Sequence, residues 1–258
     1  MSENEMSENE RVAVVTGAAG GIGRAIAHRF ARDGITVVVA DLRAEAAART
    51  AQELSVATSG DVVGLAVDVT DSTSLAELAA AAVARFGRVD HLVNCAGMSL
   101  DSPSLTHPDA DWRRVLDLNL SGTFYACREF GAHLIASRGT IVNISSIAAF
   151  AATEPEVHVG YDATKAGIIG LTRTLGVEWA PHGVRVNAVA PGYTNTEMLK
   201  TVGAEQPETM AAWLAQTPQR RLMEPDDIAE VVFFLSSPAS RAITAQTILA
   251  DGGYTAAK

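Results

Sequence analysis

Short apolar runs recur along the chain, and each is entered from a glycine or a polar turn. They include "VAVV" at 12–15, "ITVVVAD" at 35–41, "RVDHLVN" at 88–94, "TIVNIS" at 140–145 and "VRVNAV" at 184–189. Their apolar positions are continuous and not alternating, the pattern of strands buried on both faces. Before most of them runs a stretch of helical period that ends on glycine. Gly34, Gly87, Gly139 and Gly183 sit where a helix would close in a left-handed residue. Strands that alternate with helices imply a parallel sheet joined by right-handed crossovers. The pattern predicts strands near 11–16, 35–40, 62–67, 89–94, 139–145, 183–189 and 245–250. Helices are predicted near 21–33, 43–54, 72–86, 110–137, 160–180 and 225–237. No Pro/Ser-rich linker divides these units. The expected fold is α/β, one doubly wound domain over 11–258 with a parallel seven-stranded sheet.

Composition narrows the function classes. With 258 residues, 48% of them apolar, the chain can bury a large core. A net charge of −10 argues against nucleic acid or an anionic membrane surface as partner. Residues 1–10, "MSENEMSENE", read as a disordered acidic tail without the basic region and apolar core of an export signal. No apolar stretch approaches a membrane span. Cys95 and Cys127 form no disulfide or metal pattern, and a reducing cytoplasm suits them. The six histidines have no metal spacing, so no metal is expected.

Four glycines crowd into "TGAAGGIG", Thr16 to Gly23, between the first predicted strand and the helix that follows. Gly17 would make the tight turn, while Gly21 and Gly23 would let backbone approach a pyrophosphate at the helix N-terminus. By itself Asp41 would read as a solvated residue at a strand end. Lying on the order of 20 residues after the turn, it reads as the acceptor for the adenosine ribose hydroxyls. A 2′-phosphate would be repelled there, so NAD is expected over NADP. Gly20 offers no basic side chain to such a phosphate, although the nearby Arg43 would offset part of the repulsion.

The chemistry-bearing residues lie further on. Tyr161 and Lys165 in "YDATK" are four apart and share a helix face. A phenol titrates near pH ~10, too high for a base at neutrality. An ammonium about 4 Å away is worth roughly 4 kcal/mol at an effective dielectric of ~20, which would bring the phenol down by about three units. Tyr161 is therefore the candidate proton-transfer group. Ser145 and Ser146 both stand at a strand's C-terminal end, where such sheets bind ligands, and either hydroxyl could hold a substrate oxygen. Asn119 lies inside a predicted helix, a poor place for asparagine unless the helix kinks or the side chain is solvated.

The spacing T-G-x-x-x-G-x-G, with "DVT" at 68–70, "NCAG" at 94–97, "LNLSG" at 118–122, "NISS" at 143–146, "YDATK" at 161–165 and "NAVAPGYTNTEM" at 187–198, resembles the short-chain dehydrogenase/reductase family. The resemblance covers essentially residues 11 to 254; it departs at Cys95, where the family usually has asparagine. It implies a Rossmann-like fold and a catalytic set of Asn119, Ser146, Tyr161 and Lys165. In that set Ser146 is the catalytic serine, and Asn119 holds a water linking Lys165 to bulk. For the cofactor it implies the turn residues Gly17, Gly20, Gly21, Ile22 and Gly23, then Asp41 and Leu42 at the adenosine, and Asp68 and Val69 flanking the adenine. Asn94, Ala96 and Gly97 would leave room at the second ribose. Pro191, Gly192, Thr194 and Thr196 would reach the nicotinamide carboxamide.

The segment "APGYTNTEM…WLAQTPQRRLMEPDDIAEVVFFLSSPAS…ILADGGY" resembles the family's sugar-alcohol dehydrogenases of galactitol and sorbitol type. Fifteen positions separate Ser146 from Tyr161, and the loop between them carries Glu154, Glu156 and His158, groups able to bind hydroxyls. Trp213, on a mobile lid expected over 197–216, would close over a small polar ligand. The expected reaction is NAD-dependent oxidation of a secondary hydroxyl in a polyol or vicinal diol to the ketone. His158, near Tyr161, would join Ser146 and Tyr161 at the substrate. An NADPH-dependent acyl-carrier ketoreductase is the enzymic alternative, disfavoured by Asp41 and by an acidic surface facing an acidic carrier. A catalytically silent nucleotide-sensing regulator is the alternative of another class, disfavoured by the complete catalytic set. The apolar surface of the helices near 110–137 and 160–180 suggests pairing between subunits, and the resemblance implies a homotetramer.

Overall fold

The computed structural model describes residues 11–58 and 60–258. The tail expected over residues 1–10 lies outside them. Seven strands form one parallel sheet: β1 Val12–Thr16, β2 Thr36–Asp41, β3 Val62–Ala66, β4 His91–Asn94, β5 Thr140–Ile144, β6 Arg185–Pro191 and β7 Thr247–Ala250. Their order is β3-β2-β1-β4-β5-β6-β7, so the chain reverses direction across the sheet between β1 and β4. Ligands of such sheets bind outside the strand C-termini at that switch point. Register lines the ends up: Ala40, Thr16, Asn94, Asn143 and Ala188 stand in one row across five strands. The residues that follow this row emerge together at the C-terminal edge.

The continuous apolar runs are explained by two cores, one on each sheet face. Ala13, Val15, Val37 and Val39 pack with Ile26 and Phe30 of α1 (Gly21–Arg32) and Ile228 and Val232 of α9 (Pro225–Ser236). The intervening residues Val12, Val14, Val38 and Ala40 turn the other way. They meet Leu75 and Leu78 of α3 (Ser72–Phe86) and Phe130 and Leu134 of α5 (Gly122–Ser137). The helices α2 (Ala44–Thr58), α4 (Asp109–Val115) and α6 (Val159–Glu178) complete the predicted set.

Three details depart from expectation. The helix expected over 110–137 is α4 and α5 joined by a π-helical segment, Leu116–Ser121, which contains Asn119. The segment expected as a mobile lid is two helices, α7 (Glu197–Glu205) and α8 (Pro207–Gln216). Gly34, Gly87 and Gly183 do take positive φ, but before β5 the left-handed residue is Arg138, with φ 52°. Gly139 is required for room, since a Cβ there would lie 2.4 Å from the Asp90 carbonyl oxygen. Among the described residues no helix is long and apolar enough to cross a membrane, and no cluster of His, Cys, Asp or Glu could hold a metal.

Candidate active site

β1 delivers the glycine-rich turn directly into α1. Gly20, the helix N-cap, has extended backbone and no side chain to satisfy the first-turn amides, so the positive end of the helix is open. A Cβ at Gly20 would meet nothing within 4 Å. The other glycines answer to the protein itself. Gly17 has φ +65°, and a Cβ there would stand 2.7 Å from Ala96 Cα. At Gly23 a Cβ would lie 2.3 Å from the Gly17 carbonyl oxygen. Gly23 is thus needed to seat α1 against the turn; its expected part, approach to a pyrophosphate, is not what requires the glycine.

Asp41 ends β2 beside this turn. Its Oδ2 accepts from the Ala19 amide at 3.2 Å and its Oδ1 from the Arg43 amide at 3.2 Å, which fixes the carboxylate at the crevice edge. The Arg43 guanidinium lies 3.7 Å away and is largely exposed. Leu42 projects into solvent at the same rim. The Thr196 methyl would touch a Cβ on Gly21 at 3.5 Å, so the chain after β6 lies over the turn. An open helix terminus, free space at Gly20 and an immobilised carboxylate together fit the pyrophosphate and ribose of a nicotinamide dinucleotide.

The remaining residues expected at the cofactor divide into two groups. Ala96 reaches the crevice, since Thr16 Oγ1 accepts from the amides of Cys95 (3.2 Å) and Ala96 (3.3 Å). Gly97 borders Asn119 and Lys165: a Cβ there would lie 3.3 Å from Asn119 Oδ1 and 3.5 Å from Lys165 Nζ. Asn94 turns its side chain inward, donating to Asn143 Oδ1 at 2.9 Å and to Cys127 Sγ at 3.3 Å. Asp68 Oδ1 accepts from the Thr70 amide (2.9 Å) and hydroxyl (2.7 Å), and Val69 is buried against Gly122. Pro191 ends β6, Gly192 packs where a Cβ would be 2.8 Å from Asp251 Cα, and Thr194 Oγ1 donates to the Gly192 carbonyl at 2.9 Å. Ile22 packs on the α1–α9 core.

At the end of β5 the two serines separate. Ser145 Oγ donates to the Lys165 carbonyl at 2.8 Å and is buried under α6. Ser146 caps the short turn Ile147–Ala149 and is hydrogen-bonded with the Tyr161 hydroxyl. Lys165, one turn along α6, is 4% exposed; its Nζ donates to the Ile144 carbonyl at 2.8 Å and lies 5.4 Å from the Tyr161 ring centroid. Burial pushes the lysine down to about 8. Burial also raises the Tyr161 phenol, and the Ser146 hydrogen bond offsets only part of that. The expected drop of the phenol towards neutrality is therefore not present in the protein alone. Desolvation is the largest effect on the phenol, and the ammonium is aimed at the Ile144 carbonyl.

Asn119 is fully buried. Its Nδ2 donates to the Met98 carbonyl (2.9 Å) and to Thr164 Oγ1 (3.1 Å), and its Oδ1 accepts from the Met98 amide (2.9 Å). It ties the strand-end loop to α6. His158, the N-cap of α6, packs against Tyr161 with ring centroids 5.1 Å apart and planes tilted by 58°. Its Nε2 lies 3.2 Å from Thr153 Oγ1, while its Nδ1 lies 2.7 Å from Asp162 Oδ1 without a hydrogen bond, a contact that becomes an ion pair when the ring is protonated. Asp162 and Thr153 escaped the sequence reading, although the i, i+4 spacing of His158 and Asp162 was there to find.

Comparison with known proteins agrees with this geometry. The family model described as enoyl-(acyl carrier protein) reductase matches residues 17–255. A galactitol 2-dehydrogenase (L-tagatose-forming) of Cereibacter sphaeroides is 42% identical over 244 residues, 94% of this chain and 94% of that protein. A D-threitol dehydrogenase of Mycolicibacterium smegmatis is 39% identical over 247 residues, 95% of this chain and 93% of its own. The solved structure of a short-chain type dehydrogenase/reductase from Mycobacterium ulcerans superposes with a TM-score of 0.92 at 30% identity, covering 97% of this chain and 92% of that one. The chain belongs to the short-chain dehydrogenase/reductase family of nicotinamide-dependent oxidoreductases.

Proposed function

We propose that this enzyme oxidises a secondary hydroxyl of a polyol or vicinal diol to the ketone, reversibly, with NAD. The observation that carries the reading is the meeting of Ser146, Tyr161 and Lys165 at the C-terminal edge of β5 and the start of α6, beside the crevice. The turn Gly17, Gly20, Gly21, Ile22 and Gly23 would hold the pyrophosphate, Asp41 and Leu42 the adenosine ribose, and Asp68 and Val69 the adenine. Main-chain groups of Asn94, Ala96 and Gly97 would face the second ribose, and Pro191, Gly192, Thr194 and Thr196 the carboxamide. A 2′-phosphate would meet the Asp41 carboxylate, which supports NAD. When bound, the oxidised cofactor supplies a hydride acceptor and a positive charge.

In this mechanism Ser146 donates a hydrogen bond to the substrate oxygen, and Tyr161 removes the hydroxyl proton as its phenolate. Lys165 favours the phenolate by its charge, and Asn119 holds the relay that returns the proton to solvent. His158 would wall the substrate side with the ring that packs on Tyr161. The names of the galactitol and D-threitol dehydrogenases support a polyol substrate. A reducing cytoplasm suits the two free thiols, Cys95 and Cys127.

The test measures NADH and NADPH formation from tetritols, hexitols and short 1,2-diols, against steroids and simple hydrophobic secondary alcohols, with Tyr161→Phe alongside. Polyols with NAD are expected to lead. Tyr161→Phe should lower turnover by about 10²–10⁴ while NAD still binds. A tenfold advantage in kcat/KM for the hydrophobic alcohols, about 1.4 kcal/mol of transition-state preference, would overturn the substrate. More than a few per cent residual activity in Tyr161→Phe would overturn the residue's role.

A further inference from the structure

The loop between Ser146 and Tyr161 is fastened by a carboxylate that the mechanism above does not use. Glu156 Oε1 accepts from the Trp213 indole N–H at 2.5 Å, and its Oε2 accepts from the Tyr193 hydroxyl at 3.1 Å. Trp213 lies on α8 and is 4% exposed, while Tyr193 follows β6. The two rings stack with centroids 4.9 Å apart and planes 20° from parallel, so both donors form one aromatic unit. Tyr254 meets Tyr193 edge-on at 5.6 Å. Two residues before Glu156, the Glu154 carbonyl accepts from Gln216 Nε2 at 3.1 Å. Gln216 Oε1 in turn accepts from the Tyr254 hydroxyl (3.2 Å) and Lys258 Nζ (2.7 Å). The loop is thus pinned to α8 at two points, and α8 is pinned to the C-terminal segment.

This arrangement revises the part of Trp213. Its indole is buried and tethered, where the sequence suggested a lid residue closing over ligand. It also revises Glu156, whose two oxygens each accept a hydrogen bond from within the protein. Burial, and next Glu156 itself, hold the Tyr193 phenol well above its ordinary range, so that Tyr193 stays a donor. Glu156 precedes His158 by two residues, and His158 packs on the Tyr161 ring. A displacement of Glu156 would carry to the wall of the active site.

We infer that Glu156 is a positioning residue for the reaction: a clasp that joins the Ser146–Tyr161 loop to α8 through Trp213 and Tyr193 and so keeps the substrate side of the site ordered. The inference rests on the reading that the alcohol reacts at Ser146 and Tyr161. A loop ordered in advance spares the substrate the conformational entropy of ordering it, an effect felt in binding. Ser146, Tyr161 and Lys165 are held separately by β5 and α6, so the chemical step should be little affected.

Two variants test this with small changes in shape. Glu156→Gln keeps the side-chain volume and loses one acceptor; Trp213→Phe keeps a buried aromatic ring but loses the N–H and part of the ring's volume, so Glu156→Gln is the variant that decides. Amide hydrogen exchange, with no substrate present, should quicken about tenfold in both 150–158 and 207–216 in either variant, and hardly change in β5. With the polyol best used by the wild type, KM should rise about tenfold, while kcat and the KM for NAD stay within about twofold. The double variant should be little worse than either single, because both remove one contact. Faster exchange confined to the mutated segment overturns the clasp. So does a raised KM without altered exchange, which would make Glu156 a substrate ligand. An unchanged KM, or fully additive penalties, overturns it as well. If the wild type uses no polyol, the substrate reading fails, and the exchange result alone decides the clasp.

Discussion

Lys165 carries an ammonium into the protein with one carbonyl for a partner, and its pKa has fallen from 10.5 to about 8 through burial. The folded chain therefore binds that proton less tightly than the unfolded chain. Below about pH 8 the difference costs about 3 kcal/mol of stability, and the loss is recovered as pH climbs from about 8 to 10.5. Lys165→Met removes the charge and leaves the Ile144 carbonyl without its partner, a loss of about 1 kcal/mol. The variant should be inactive and yet more stable than the wild type by about 1–2 kcal/mol at pH 7. That advantage should shrink through pH 9 and be gone by pH 10.5, as followed by denaturant unfolding at the three values. A variant less stable at pH 7, or an advantage that grows with pH, would contradict the assigned cost. The residue that serves catalysis is in this sense a burden on the fold.

Among the elements, the helix running from α4 to α5 is the informative one. It widens at Leu116–Ser121, and the widened turn turns the amide of Asn119 on to both the Met98 backbone and Thr164. Three hydrogen bonds from one side chain join the loop after β4, the helix and α6. Asn119→Ala would leave the half-buried Met98 amide and carbonyl without those partners. The expected loss is about 2–4 kcal/mol. Thermal unfolding should show it as a clear drop in Tm, and hydrogen exchange should quicken at the Met98 loop and at the start of α6. A variant with unchanged Tm would show that water replaces the amide without cost. α7 and α8 teach the opposite lesson: their part in the site comes from what they touch, Glu156 and the glycine turn, more than from their own sequence.

For the whole molecule, some of the exposed large apolar side chains lie on elements that could pair with another copy. Val177 of α6 is 68% exposed, Phe234 of α9 42% and Leu249 of β7 41%. Phe124 at the start of α5 adds a fourth. Surfaces of this kind favour association through helix faces and an open sheet edge. We expect a homotetramer, so light scattering should give about four times the protomer mass, and a monomer at micromolar concentration would contradict this. The net charge of −10 acts at the same scale. It disfavours docking of an acidic carrier protein and leaves a small neutral polyol unaffected.

The sequence alone determined the parallel sheet, the alternation of its strands with most of the helices, and, through its resemblance to a known family, the residues expected at the C-terminal edge. Continuous apolar runs, helix-ending glycines and the Tyr161–Lys165 spacing are local patterns, and local patterns reflect local energetics. Tertiary structure decided what depends on distant neighbours. Ser145 and Ser146 are alike in sequence until α6 claims one of them. Gly23 and Gly139 are glycines because of carbonyl groups that come close only in the folded chain. The widening of the helix at Asn119 answers to Met98, and the burial of Trp213 answers to Glu156, 57 positions away. The acidity of Tyr161 misled the sequence reading for the same reason. Charge can be counted along a chain, but desolvation belongs to the surroundings that folding supplies.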